Sequence, residues 1–207
     1  IQIPAGSLVS FGAMSITGSG AYEGIYIYGS GTTRSVGNLS LNGTSSGSTQ
    51  WGVLIGDNRL LQSTNGNISI AASGGRGTYI NGSIVASNNT TNPTTDLPTS
   101  GGSITINTSS SAYYGLEMPS GSLVSFGPLS ITSSGSLESI YIYGSGTIRS
   151  VGNISLSATT SGASQWAIYL KDSRLIQSTG GNISINSTSS AGHGIYVSGG
   201  GLVAGND

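Results

Sequence analysis

The chain has no cysteine, one histidine, two phenylalanines and two tryptophans, and only 6% of its 207 residues are charged. Each shortage removes a class of chemistry. Without cysteine there is no disulfide framework, no thiolate metal site and no thiol nucleophile. Six Lys and Arg against seven Asp and Glu leave a formal charge of -1, so the basic surface that a phosphate backbone or an anionic lipid layer requires is missing. Nucleic acid is not expected as a partner. No apolar run reaches the ~20 residues that span a bilayer, and no charged stretch followed by an apolar one opens the chain. Membrane insertion of this segment is not expected, and if the protein is exported, its signal lies outside this sequence.

What is present is glycine, at 35 positions, together with Ser, Thr and Asn, and a hydrophobic fraction of 35%. This is too apolar for a disordered tail and too uncharged for an ordinary soluble enzyme. Internal repetition resolves the conflict. GSLVSFGAMSITGSG from Gly6 returns as GSLVSFGPLSITSSG from Gly121, and the match runs without a gap to STNGNISI and STGGNISI. Roughly two-thirds of positions are identical over about 65 residues, an internal duplication at an offset of about 115. Inside it an aliphatic, Ser or Thr, aliphatic triplet recurs seven times: Met14-Ser15-Ile16, Leu39-Ser40-Leu41, Ile68-Ser69-Ile70, Ile104-Thr105-Ile106, Leu129-Ser130-Ile131, Ile154-Ser155-Leu156 and Ile183-Ser184-Ile185. Spacings of about 25 to 36 residues are those of a solenoid coil.

Upstream of each triplet lies a second alternating segment: Ile1/Ile3, Ile25/Ile27, Val53/Ile55, Thr78/Ile80, Leu116/Met118, Ile140/Ile142, Ile168/Leu170 and Ile195/Val197. Period two, β-branching and flanking glycines make these strands. A third short site is read as Val9, Leu61, Val85, Val124, Ile148, Ile176 and Val203, with Thr33 as a polar exception. One coil alone presents too few inward aliphatics to offset its ordering entropy. Coils stacked in register place aliphatic on aliphatic and bond every strand to the next. The expectation is an all-β, right-handed parallel β-helix of three short strands per coil. It forms one segment over 1–207, with long repeats of roughly 1–115 and 116–207, the second incomplete. Uncharged outer positions fit this arrangement, because stacked like charges repel.

The coils TIRSVGNISLSATTSG from Thr147, WAIYLKDSRLIQSTGG from Trp166 and WGVLIGDNRLLQSTNG from Trp51 resemble the filamentous haemagglutinin type of β-helical exoprotein. That family comprises secreted adhesins of two-partner secretion systems and similar autotransporter passengers. The resemblance implies the outer surface of a Gram-negative bacterium and a rigid rod in adhesion, aggregation or biofilm contacts. Its partner would be a glycan or protein receptor on a cell surface, or other copies of itself. The family's secretion-signal domain is not visible. Because the chain opens at Ile1 and ends at Asp207 in mid-coil, it reads as an excerpt of a longer array.

Catalytic readings find little to stand on. His193 has no histidine counterpart in the first long repeat, and Asp57, Asp96, Asp172 and Asp207 are scattered rather than converging on a metal. No cofactor and no enzymatic activity is expected. Arg59 with Asp57, repeated as Arg174 with Asp172, reads as a turn pair, since an active site is normally single. Parallel β-helices do host polysaccharide lyases and hydrolases, so a glycan-active enzyme is a remote alternative. An ice-binding solenoid would need Thr-x-Thr rows where this outward ladder is mostly serine.

Contact residues are the more productive reading. The outward line of the first strand runs Gln2, Tyr26, Leu54, Tyr79, Glu117, Tyr141, Tyr169 and Tyr196, with Tyr28 and Tyr143 beside it. The seven tyrosines form a candidate interface for glycan stacking or for lateral packing into a filament or sheath; the plainer reading is aromatics stacking on their strand neighbours. An insertion over 86–102 holds two prolines and offers Asn88, Asn89, Thr90, Asn92 and Asp96 as a contact loop. Asn-x-Ser/Thr sequons at Asn42, Asn81, Asn107 and Asn186 are candidate glycosylation sites. Those at Asn38, Asn67, Asn153 and Asn182 fall where turn geometry itself calls for asparagine.

Overall fold

A computed structural model describes residues 1–57, 59–88, 100–163 and 165–205. Among these residues it is an all-β parallel solenoid of about 7 turns with three strands per coil and no helix. The first sheet has eight strands, from Gln2–Ile3 to His193–Ser198; the second has eight, from Leu8–Ser10 to Gly201–Ala204; the third has seven, from Met14–Gly20 to Ile183–Ser189. In every sheet each strand pairs with its equivalent one coil away, so the repeat in the sequence becomes a translation in space. At a strand spacing of ~4.8 Å, seven turns give a rod of roughly 35 Å.

The inward lines are continuous. Ile25, Val53, Thr78, Leu116, Ile140, Ile168 and Ile195 succeed one another in the first sheet. Met14, Leu39, Ile68, Ile104, Leu129, Ile154 and Ile183 do so in the third. One core cluster runs from Ile25 to Ile176 and joins the three sheets, with Ile3, Met14, Ile16, Ile183 and Ile185 packed against it; Leu8, Ile195, Val197 and Leu202 in the end coils are exposed. The polar member Thr78 is fully buried, and its hydroxyl donates to Thr108 Oγ1 at 3.2 Å, which donates onward to Gly115 O at 2.8 Å. A buried hydroxyl is tolerated when its hydrogen bonds are made.

The second sheet corrects the reading of its inward site. The register aligns Leu8, Thr33, Leu61, Ile84, Leu123, Ile148, Ile176 and Leu202. Val9, Val85, Val124 and Val203 therefore lie one position further on, in line with Arg34, Gln62, Arg149 and Gln177. In each of these coils two aliphatics are adjacent, and alternation alone does not say which of them points in. Next along these strands Ser35, Ser63, Ser125, Ser150 and Ser178 form a fully buried row. Their hydroxyls donate to corner carbonyls: Ser35 and Ser63 to Gly37 O, Ser125 and Ser150 to Gly127 O, and Ser178 to Gly152 O.

The two arginines expected to pair with aspartates turn inward instead. Arg59 donates from Nη1 to Pro4 O and Gly6 O and from Nη2 to Thr33 Oγ1. Arg174, 3% exposed, donates to Gly121 O, Met118 O and Tyr143 O. Each guanidinium thus ties its own coil to the two preceding ones. Thr33 is the polar exception in its line because it accepts from Arg59. Asp57 accepts from Asn81 Nδ2, and Asp172 accepts from Gly144 N at 2.9 Å. Burial lowers the pKa of Arg174 to about 10; the carbonyl cage is what its charge receives in place of water.

Beside each arginine two glycines stack, Gly31 on Gly6 and Gly146 on Gly121. Gly146 has φ 126°, and a Cβ there would collide with Gly121 O. Gly146→Ala should therefore destabilise the fold by about 1–3 kcal/mol from the backbone conformation alone, read as a lowered midpoint of denaturant unfolding. Gly12→Ala, where a Cβ meets nothing within 4 Å, should leave the midpoint unchanged.

Candidate functional site

Strand register sets the tyrosine face. Gln2, Tyr26, Leu54, Tyr79, Glu117, Tyr141, Tyr169 and Tyr196 are successive partners in the first sheet, the line expected from alternation. The rings pack on one another. Tyr141 stacks on Tyr143 at 4.4 Å and on Tyr169 at 5.2 Å between centroids, with Tyr114 at 5.5 Å. Tyr169 meets Tyr196 edge-on at 4.9 Å, and Tyr26 lies against Tyr28 at 4.4 Å. Offset-stacked and edge-to-face pairs of this kind add about 0.5–1.5 kcal/mol each beyond area burial. Tyr141 is thus stacked on two neighbouring rings and half-buried.

Sequence reading missed the other members of this face. Arg76 sits over the Trp51 ring at 5.1 Å and over the Tyr113 ring at 4.7 Å. Trp51, 7% exposed, also packs against Tyr79 at 5.3 Å. In the second long repeat His193 pairs with Trp166 in the register that joins Arg76 to Trp51. Its ring stacks on the indole at 4.4 Å. The position thus places a flat nitrogenous group on the equivalent tryptophan in both repeats. The signal was present but displaced: Trp51 and Trp166 are 115 apart, Arg76 and His193 117.

Glu117 interrupts the tyrosines. It is half-buried, and Tyr143 Oη donates to its Oε1 at 2.9 Å. Burial raises its carboxyl above the ordinary range; the Tyr143 hydrogen bond and the Arg76 charge oppose that rise and the Glu138 charge adds to it. Burial, and then the bond to Glu117, raise the Tyr143 phenol in turn. Tyr79, Tyr114 and Tyr141 are raised first by burial and then by neighbouring charge.

The third sheet carries a different face. Its strands turn three columns outward: Ser15, Ser40, Ser69, Thr105, Ser130, Ser155 and Ser184; then Thr17, Asn42, Ala71, Asn107, Thr132, Ser157 and Asn186; then Ser19, Thr44, Ser73, Ser109, Ser134, Thr159 and Thr188. A shallow, open depression of about 490 Å³ runs past Asn42, Asn107, Thr132 and Thr159. Three candidate glycosylation sites, Asn42, Asn107 and Asn186, share the middle column and are exposed. The fourth, Asn81, is partly buried and bonded to Asp57 and Ser120. The corner asparagines form a ladder at the exposed corner: Asn38 Oδ1 accepts from Asn67 N, Asn67 Oδ1 from Ser103 N and Asn153 Oδ1 from Asn182 N, each at 2.9 Å.

Of the contact loop, Asn88 is exposed, and its N–H donates to Ser100 O at 3.2 Å, with Gly102 N donating to Ala86 O. Asn89, Thr90, Asn92 and Asp96 lie outside the described residues. Among the described residues no group of three or more His, Cys, Asp and Glu could hold a metal ion, and no helix is long and apolar enough to cross a membrane. No family model, curated protein or solved structure matches the chain.

The raised Glu117 carboxyl sets a pH dependence. The folded state binds this proton more tightly than the unfolded state, so its contribution is fully present below the unfolded carboxyl range and is lost as pH rises through the folded value. Glu117→Gln keeps an acceptor for Tyr143 without the charge. The two proteins should melt together near about pH 3, with the variant the more stable by about pH 8. Melting curves that stay parallel across that range would show that burial of Glu117 carries no such penalty.

Proposed function

We infer that the chain is a structural and adhesive segment of a bacterial extracellular β-helical surface protein or fibre. The rod supplies reach, and its faces supply contact in adhesion, aggregation or biofilm. The observation that carries this reading is the unbroken stack of three parallel sheets in which every strand pairs with its own equivalent. Such a stack gives a stiff body whose length grows with coil number. The bacterial and extracellular parts rest on the likeness of its coils to filamentous haemagglutinin-type exoproteins. No cofactor and no catalytic step enter the proposal.

The partner is a glycan or protein receptor on a cell surface, or another copy. Because Tyr141 already stacks on Tyr143 and Tyr169, part of its ring surface is taken up within the chain. This favours a protein surface over sugars stacked flat on the rings. The ring-on-ring run from Tyr114 through Tyr141 and Tyr169 to Tyr196 supports a second reading, a self-assembling extracellular filament or sheath packed laterally through the tyrosines.

Display of the chain on a non-adherent Gram-negative host tests the proposal. Displaying cells should gain several-fold in attachment to host cells or in mutual aggregation, and Tyr141→Ser with Tyr169→Ser should reduce the gain. Surface-exposed, folded protein that changes neither attachment nor aggregation would contradict it.

A further inference from the structure

The outer side of the third sheet is a large face that no strand among the described residues packs against. Its seven strands of seven residues each cover about 34 Å by about 23 Å, roughly 780 Å², at ordinary strand spacing and rise. A stable protein interface takes about 800 Å² from each partner. The three outward columns hold Ser, Thr and Asn with the single Ala71, and no charged or aromatic side chain. Two copies could therefore meet face to face without like-charge repulsion. Side chains of one short length let facing sheets approach to about 10 Å and interdigitate.

The outer polar groups are also little used within the chain. Two hydrogen bonds among the described residues join outward side chains of this face, Ser73 Oγ to Thr44 Oγ1 at 3.3 Å and Asn186 Nδ2 to Ser184 Oγ at 3.2 Å. The other two faces are less suited to self-pairing. The tyrosine sheet carries Arg76 and Glu117 among rings that already pack on one another. The outer line of the second sheet holds Arg34 and Arg149, and between them Gln62, Val85 and Val124 are already buried at 1%, 2% and 2% exposure.

We propose that the outer face of the third sheet is a homotypic interface, through which two copies of the chain pair sheet on sheet about a two-fold axis. The pairing goes beyond the adhesive reading and stands or falls apart from it. Closed two-fold dimers are the commonest solution for a self-complementary patch. Asn107 lies on the fourth of the seven strands and in the middle of the three columns. A two-fold axis within the interface, whether along the rod or along the strands, sets Asn107 against Asn107 of the second copy.

The absence of cysteine makes the test clean. Asn107→Cys in the full chain places one thiol at the centre of the face, and Tyr169→Cys places one on the tyrosine stripe. Mild oxidation should link Asn107→Cys into dimers several-fold more completely than Tyr169→Cys. Ala71→Lys with Thr132→Lys, both outward, should weaken dimerisation of the otherwise unchanged chain at least tenfold by sedimentation, with the β-sheet circular dichroism retained. Sedimentation of the unsubstituted chain does not depend on the variants folding. A monomer persisting to about millimolar concentration would overturn the proposal, as would linking at position 169 in preference to 107. Dissolution of the dimer by soluble polysaccharide at unchanged ionic strength would also overturn it, assigning the face to a glycan.

Discussion

Everything in this molecule follows from one constraint: each residue lies about one strand spacing, ~4.8 Å, from its own equivalent in the next coil. A side chain is tolerated if it packs or hydrogen-bonds with a copy of itself. Aliphatics satisfy that inside; outside, serine and threonine stack without charge to repel. Asparagine meets it at the corner, where one side-chain oxygen takes the next coil's N–H, and tyrosine through ring-on-ring contact. Charge fails the test unless something interrupts the column, which is why charged residues make up only 6% of the chain.

The residues that break their columns are correspondingly the ones with specific partners. Thr33 sits among aliphatics and receives Arg59; Thr78 sits among aliphatics and is met by Thr108. Arg59 and Arg174 leave the surface for backbone carbonyls two coils back. Glu117, the charged residue in the tyrosine row, is held by Tyr143. Local departures from the repeat are therefore matched by local hydrogen bonds, and the faces between them stay uniform. Uniformity is what gives this rod a broad uncharged side capable of meeting another like it.

Much of this is legible in the sequence, because period two and a fixed offset translate directly into strands and stacking. The tyrosine row and the aliphatic lines of the first and third sheets follow from alternation. Alternation gave no answer where two aliphatics adjoin, as at Leu8-Val9 and Ile84-Val85, and there the inward residue was misassigned. Nor does spacing say where a long flexible side chain goes, so Arg59 and Arg174 looked like partners of the nearby aspartates. The buried serine row was hidden by the abundance of serine elsewhere. The match of His193 to Arg76 was hidden by two residues inserted between the copies. The triplets show the face of the third sheet as a serine ladder, and the register adds its other two columns.

The central claim is a single continuous stack, in which the second long repeat continues the first with no boundary between them. Amide hydrogen exchange of the intact chain measures this strand by strand. Protection should rise from both ends to one maximum around the central strands Ile68–Gly74, Ile104–Ser110 and Leu129–Gly135. Two separate maxima, with a minimum between Ser110 and Leu116 where the long repeats meet, would contradict it.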